Sequence, residues 1–366
     1  MLRTLAGVEA ERGRVPQDAR DQQTQLIPRV RTDASATRVL PTAAPPRPPA
    51  PTTRRRRRWP WVLLVLLVGY PLLLGGLVLV GLDRVAAMPR GDRPAPTPGH
   101  SWLVVGSDSR QGLSAREQAE LSTGGGTSRL TDTILMVTTA PDGTPTLISL
   151  PRDSYVEIPG YGFNKINAAF AFGGPRLLVR TVENATGVRL DGYVEVGFDG
   201  FYRIVQAAGG VEVCLPDPLQ DERAGIDLPA GCQVLGGSDA LGYVRARYSD
   251  PRGDLGRVER QQQFVGALAD RATSPAVLLN PLRAVPLALA TGQALTVDRS
   301  MGPLDLARFT WATRQAVGPD GQMLTVPVGG SGSTDVGSVL FWDDQDAPAL
   351  WQALRDGTPV PRRLLD

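Results

Sequence analysis

At 366 residues the chain is long enough for more than one domain. Its formal net charge is only +2, so bulk charge does not direct it to nucleic acid. The single histidine, His100, falls at the end of a proline-rich stretch, which excludes a His-based triad and a histidine zinc site.

Residues 1–58 are polar and charged, and Pro41 to Thr53 is rich in Pro, Ala and Thr, so they read as a disordered cytoplasmic tail. A faint repeat links Thr24-Gln-Leu-Ile-Pro to Thr37-Arg-Val-Leu-Pro. Thr24 and Thr37 are either targets of a Ser/Thr kinase or a low-complexity coincidence. Trp61 to Leu82 carries no charge. At ~1.5 Å per residue it spans about 33 Å, enough to cross a bilayer. Gly69, Pro71, Gly75 and Gly76 would weaken a soluble helix but are tolerated in a membrane. Five arginines, Arg54 to Arg58, precede this run, and Trp59 and Trp61 suit an interfacial belt. The expectation is a transmembrane helix over 59–82 in the plasma membrane, with the N-terminus in the cytoplasm and the rest of the chain outside. The apolar run is too long and starts too late for a cleaved signal peptide.

Residues 83–99 read as an extracellular linker, and 100–366 as one outer domain. Trp102 to Gly106 is strand-like, and Asp132 to Thr139 and Thr146 to Leu150 are β-rich runs joined by a Pro-Asp-Gly turn. Helices are expected over 167–172, 175–185, 200–208, 238–247, 255–271, 275–290, 304–316 and 346–355. Further strands are expected over 193–198, 211–214 and 323–328. This alternation predicts an α/β fold, an α-β-α layered sandwich whose hairpin makes the central sheet mixed. Cys214 and Cys232 lie in the outer region, where an oxidising compartment permits a disulfide contributing roughly 3 kcal/mol. The other reading is two buried thiols.

Charged residues gather at strand and helix ends. Asp108 stands with Arg110, Arg129 with Asp132, and Arg152 with Asp153, followed by Lys165 and Asn167. Lys165 is the only lysine in an arginine-rich chain, and a functional lysine or a chance survivor are both open. A fourth cluster runs Arg245, Arg247, Asp254, Arg257, Arg260, Gln261. Asp254 suits the N-cap of a helix on which Arg257, Arg260, Gln261, Phe264 and Leu268 share a face. Their apolar continuation turns that face inward, where arginines need an anion; the alternative is a solvated helix with local Arg–Asp pairs. Asp108 and Asp132 suit a magnesium ion shared with phosphate oxygens, or are structural partners of Arg110 and Arg129.

Gly124-Gly-Gly-Thr-Ser lacks the Lys-Ser/Thr of a P-loop, and no Gly-x-Ser-x-Gly elbow occurs. Asn184-Ala-Thr186 matches a glycosylation sequon, read as chance. Arginines, carboxylates and a hard metal remain, and they suit phosphoryl transfer.

At these residues the chain resembles the LytR-CpsA-Psr (LCP) family of bacterial envelope enzymes, in its actinobacterial form. The matching motifs are Val-Val-Gly-Ser-Asp-Ser-Arg (104–110), Arg-Leu-Thr-Asp-Thr-Ile-Leu (129–135), Ser-Leu-Pro-Arg-Asp-Ser (149–154), Lys-Ile-Asn-Ala-Ala (165–169), and Tyr-Val-Arg-Ala-Arg-Tyr with Gly-Asp-Leu-Gly-Arg-Val-Glu-Arg-Gln-Gln (243–262). They stand in family order over residues 100–272. The tail, from about 275, resembles a C-terminal extension of actinobacterial members.

The resemblance implies the LCP fold and a phosphotransferase active in cell-wall assembly. It would attach a glycopolymer from a polyprenyl-pyrophosphate carrier to peptidoglycan through a phosphodiester. By motif, Asp108 and Asp132 would hold Mg2+, with Mn2+ as an alternative. Arg110, Arg129, Arg152, Arg245, Arg247, Arg257, Arg260 and Gln261 would line the pyrophosphate pocket, with Lys165 and Asn167 beside it. Arg152, Arg257, Arg260 and Asp132 would carry catalysis. An apolar tunnel between sheet and helices would take the prenyl tail. The run Gln111 to Ser128 departs from the family pattern and reads as a loop over the site. The rival expectation is a non-catalytic sensor of lipid-linked wall intermediates.

Overall fold

The computed structural model describes residues 59–108, 131–246, 254–318 and 321–365, apart from the side chains of residues 63, 65, 254, 255 and 257–259. The first element is an apolar helix, α1 (Trp59–Gly81), long and apolar enough to cross a membrane. It leads directly into β1 (Asp83–Val85), then β2 (His100–Ser107), β3 (Thr131–Thr139), β4 (Pro145–Ser149) and the hairpin β5 (Tyr155–Ile158) and β6 (Gly162–Lys165). Next come α2 (Ala168–Thr186), β7 (Gly192–Gly197), α3 (Phe198–Ala208), β8 (Val211–Leu215), β9 (Leu219–Asp221), β10 (Ile226–Leu228) and β11 (Gly231–Leu235). The chain continues through α4 (Gly237–Arg245), α5 (Asp254–Thr273), α6 (Pro275–Leu278), α7 (Pro281–Ala294) and β12 (Leu295–Asp298). It ends with α8 (Pro303–Ala316), β13 (Gln322–Thr325), β14 (Val328–Thr334), β15 (Gly337–Trp342) and α9 (Asp346–Asp356), followed by a single 3-10 turn.

Seven strands form one mixed sheet in the order β1-β12-β7-β2-β3-β4-β13. The antiparallel β3–β4 hairpin is closed by Pro141-Asp-Gly, where Gly143 takes φ +87°, a conformation that favours glycine. Both faces of the central strands are covered, so their apolar runs are nearly continuous. Alternation along each strand then divides them between two cores. Leu103, Val105, Ile134, Met136 and Ile148 pack on one face with Leu178, Val179 and Val182 of α2 and Leu350 and Trp351 of α9. Trp102, Leu135, Val137, Leu147 and Val194 pack on the other with Ala312 and Ala316 of α8. The result is the expected α-β-α sandwich. Each of these buried large side chains stabilises the fold by about 1.5–3 kcal/mol through area removed from water.

Two parts differ from the sequence expectation. Residues 83–99 do not begin as a free linker, because β1 lies parallel to β12 at the sheet edge. Asp298 fastens the segment beyond it, accepting from the backbone N–H groups of Ala87 at 2.6 Å and Met88 at 3.1 Å. The chain beyond 275 contributes β12 and β13 to the same sheet. The helix expected over 275–290 breaks at Asn280, whose side chain accepts from Leu282 N–H at 3.0 Å and caps α7. The two helices expected over 167–172 and 175–185 are both present within α2, parted by non-helical backbone at Gly173 and Gly174 just before Pro175.

Between α3 and α4 the chain makes an excursion of two short hairpins. β8 pairs with β11, and Cys214 faces Cys232 across them in a disulfide. β9 pairs with β10 inside that clamp. The excursion packs through Val211, Leu219, Ile226 and Leu235 against Val205, Tyr243 and Phe264.

Candidate active site

The site begins at the end of β2. Its register with β3 shifts between Gly106↔Thr133 and Ser107↔Thr131, leaving Asp132 as the extra residue of a bulge. Bulges re-aim a side chain, and this one directs Asp132 to the cavity described below. Asp108 follows Ser107 directly, so one expected metal-binding aspartate lies just past the end of β2 and the other, Asp132, near the start of the neighbouring antiparallel strand β3.

Arg152 and Asp153 lie on the turn between β4 and β5. The β5–β6 hairpin returns the chain to them: Tyr155 pairs with Lys165, Ile166 N–H donates to Ser154 O at 2.8 Å, and Asn167 N–H donates to Arg152 O at 3.3 Å. Arg152 donates to Asp132 and also approaches Asp153 at 3.4 Å, while Lys165 Nζ donates to Asp153 at 2.8 Å. Burial pushes the Asp153 carboxyl up, but the Lys165 hydrogen bond and the Arg152 charge outweigh it and hold Asp153 below the ordinary carboxylate value. Asp153 is thus an ionised orienter of two cations. The lone lysine has a specific partner.

The opposite wall comes from α4 and α5. Gln261 Nε2 donates to Val244 O at 3.1 Å, and the Arg260 guanidinium donates to Ala246 O at 2.6 Å. Both side chains and Phe264 are buried, so this face of α5 turns inward as its spacing predicts. Arg245, at the end of α4, lies over the Phe198 ring at 5.2 Å from its centroid. Burial raises the Tyr243 hydroxyl above its ordinary value, against the opposing charge of Arg260.

Between these walls opens a cavity of about 400 Å³. Asp132, Arg245 and Gln261 supply polar groups to it. The rest is mostly apolar, with Val104 and Leu135 from the sheet, Phe198, Phe201 and Ile204 from α3, Leu241 and Val244 from α4, and Phe264 and Leu268 from α5. An apolar chamber with charged groups at the sheet end suits an amphiphile.

The structure therefore brings Asp132 together with Arg152, Asp153 and Lys165, and Asp132 with Arg245 and Gln261 around the cavity. Asn167 stands behind Arg152, buried, and Arg260 braces α5 against Ala246 rather than lining the cavity. Arg110, Arg129, Arg247, Thr24, Thr37 and the 111–128 run lie outside the described residues, as does the side chain of Arg257. Asp221 and Arg223 also line the cavity and were not anticipated. They arrive on β9 and the turn after it, strands too short to give a periodic signal.

A sequence profile of the LytR_cpsA_psr family matches residues 92–355. The chain belongs to this family. Its LytR_cpsA_psr region has an actinobacterial relative, the "Probable cell wall biosynthesis protein LcpB" of Corynebacterium glutamicum, 47% identical over 75% of this chain and 65% of that protein. The "Cell wall biosynthesis protein LcpA" of the same organism is 35% identical over 71% of this chain and 56% of its own length. The chain thus spans less than two thirds of these curated relatives. A shorter match, 41% identical over 39% of this chain and 47% of the relative, is to the "Polyisoprenyl-teichoic acid--peptidoglycan teichoic acid transferase TagU" of Enterococcus faecalis. Among solved structures, the "LytR-Csp2A-Psr enzyme from Actinomyces oris" superposes with a TM-score of 0.60 at 22% identity, covering 75% of this chain and 96% of that one. TagV of B. subtilis does so at 0.54 and 24%, covering 72% and 100%. At such identities the likeness is one of fold, and it is the LCP sandwich.

Proposed function

We propose that the protein is a membrane-anchored phosphotransferase of cell-wall assembly. It moves a glycopolymer from a polyprenyl-pyrophosphate carrier to peptidoglycan through a phosphodiester. The observation that carries this reading is the junction of two chemistries: Asp132, Arg152 and Arg245 gather where an apolar cavity of about 400 Å³ meets the sheet end. A pyrophosphate on a prenyl chain has this same division. The names of the relatives, cell-wall biosynthesis proteins and teichoic acid transferases, agree with it.

The sheet register adds support. Asp83, two residues after α1, shares a row with Thr296, Glu195, Val105 and Ile134 across five strands. β2 runs antiparallel to β1, so its end at Ser107 and Asp108 lies on the side from which α1 departs. With α1 in the plasma membrane and Arg54–Arg58 on the cytoplasmic side, the site faces the outer leaflet, where a lipid-linked donor waits.

In the reaction, an acceptor hydroxyl oxygen bonds to the glycan-bearing phosphorus and gives up its proton, the bridging P–O bond breaks, and polyprenyl phosphate leaves with that electron pair. Arg152 and Arg245 bind phosphate oxygens and stabilise charge as it shifts to the leaving group. Asp153 and Lys165 hold Arg152 in place. The apolar walls exclude water, which would compete with the acceptor. Among the described residues no group of three His, Cys, Asp or Glu could hold a metal alone. Two carboxylates at adjacent strand ends do fit Mg2+ or Mn2+ bound together with substrate phosphates, and Asp108 and Asp132 would hold it. Such an ion would neutralise pyrophosphate charge.

The test is turnover by the full-length protein, in detergent or vesicles, of a polyprenyl-pyrophosphate glycan with peptidoglycan and Mg2+. Release of polyprenyl phosphate together with glycan on peptidoglycan is expected. Tight donor binding without turnover, unchanged by Asp132→Ala, would replace the enzyme with a sensor.

A further inference from the structure

Helix α1 is exposed along its first half and packed along its second. Every described residue from Trp59 to Gly69 is exposed, whereas Tyr70, Leu74, Leu77, Val78 and Gly81 are partly covered, at helical spacing. What covers them is α7. The two helices approach through glycines: a Cβ at Gly292 would lie 2.6 Å from Val78 O, and one at Gly81 would lie 3.0 Å from the Gly292 carbonyl carbon. At the other end of the contact, Tyr70 Oη donates to Leu278 O at 2.9 Å.

Helix length then sets a constraint. Trp59 to Gly69 rises only about 16 Å, while a bilayer's hydrocarbon core is about 30 Å thick. If α1 spans it, roughly the last 14 Å must be crossed by the part of α1 that lies against α7. Whatever flanks that part enters the same layer.

The α6–α7 segment is suited to it. Leu279 is 78% and Leu282 85% exposed, with Leu278 and Leu289 also open. Between Pro275 and Ala290 the only charged residue is Arg283, which is exposed. Nearby polar groups are satisfied internally: Asn280 accepts from Leu282 N–H, and Ser274 donates to Arg271 O at 2.8 Å. Val277 and Leu287 pack against Ile204 and Leu268, which line the apolar cavity.

We propose that α6–α7 is a wedge seated in the outer leaflet beside α1, with Leu278, Leu279, Leu282 and Leu289 among the acyl chains. It holds the back of the cavity against the membrane, so a lipid tail passes from leaflet to cavity without crossing water. The inference rests on α1 being the membrane anchor and goes beyond it.

Leu279→Cys and Leu282→Cys in the full-length protein, each labelled with an environment-sensitive fluorophore in phospholipid vesicles, test the wedge. Leu72→Cys on α1 and the exposed Asp356→Cys on α9 are references; the native cysteines are held in the disulfide. Nitroxides on the lipid acyl chains should quench the labels at 279 and 282 as they quench the one at 72, with blue-shifted emission, and leave the one at 356 unchanged. Quenching at 72 with water-like emission at 279 and 282 overturns the wedge and keeps the anchor. No quenching at 72 overturns the anchor and the wedge together.

Discussion

Removing the Arg152 guanidinium separates catalysis from stability. In Arg152→Ala, Asp153 keeps Lys165 at 2.8 Å, and Asp132, whose side chain is 38% exposed, is left to water. Neither carboxylate becomes an isolated buried charge. The stability cost is therefore that of a half-buried pair whose carboxylates stay partnered or hydrated, about 1 kcal/mol, a shift of a few degrees in Tm. The transition state loses more. A unit charge about 4 Å from a phosphate oxygen, at an effective dielectric near 20, interacts by up to about 4 kcal/mol. The net value of a charged hydrogen bond is about 1.5–3 kcal/mol, so kcat/KM should fall about ten- to hundredfold. Glycan transfer is measured with purified protein, polyprenyl-pyrophosphate donor and peptidoglycan, alongside thermal unfolding. Arg152→Lys keeps the charge but loses the fork, and should recover part of the rate. Transfer within twofold of wild type at an unchanged Tm would show that Arg152 does not touch the reacting phosphates.

Three other outcomes are expected. Replacing Cys214 and Cys232 with serine frees the β8–β11 clamp and should cost about 3 kcal/mol, seen as a lower denaturant midpoint; an unchanged midpoint would show that the excursion is held by its apolar contacts alone. The Asp298 carboxyl is pushed up by burial but held lower overall by hydrogen bonds from Ser300, Met88 and Ala87. Its folded pKa lies below its unfolded one, so its stabilisation is complete above about pH 4 and is lost as pH falls through the folded value. Unfolding midpoints across that acid range should fall for wild type and stay flatter for Asp298→Asn; parallel profiles would remove the residue from the acid response. Leu268→Trp places a larger ring in the cavity wall. It should lower transfer from long-chain prenyl donors more than from short-chain ones, and equal loss with both would place the tail elsewhere.

Much of the site was legible because its residues stand at element ends in short, specific motifs. Arg152 and Lys165 were grouped by motif, but the β5–β6 hairpin that brings them together was not among the expected strands. The inward face of α5 followed from helical spacing through Phe264. The bulge at Asp132 did not, since a register shift depends on the partner strand. β1 and β12 were also hidden. Three or four residues give too little alternation to count, and their identity as strands comes from the sheet edge that accepts them. The Pro/Gly-rich composition of 83–99 suggested slack that the Asp298 hydrogen bonds remove. The break at Asn280 was masked by continuous leucines on either side.

The entry of β1 into the sheet changes how the protein explores its surroundings. A leash would let the domain tumble above the bilayer and present its site in any direction. With α1 as the proposed anchor, a stalk stitched to β12 removes that freedom, leaving diffusion in the plane and rotation about the membrane normal. Each meeting with the proposed donor would then start with both molecules upright, and the orientational entropy of docking would be reduced before contact. It follows that a soluble fragment starting after Val85 loses an edge strand as well as its anchor, and one starting at Asp83 keeps the sheet whole.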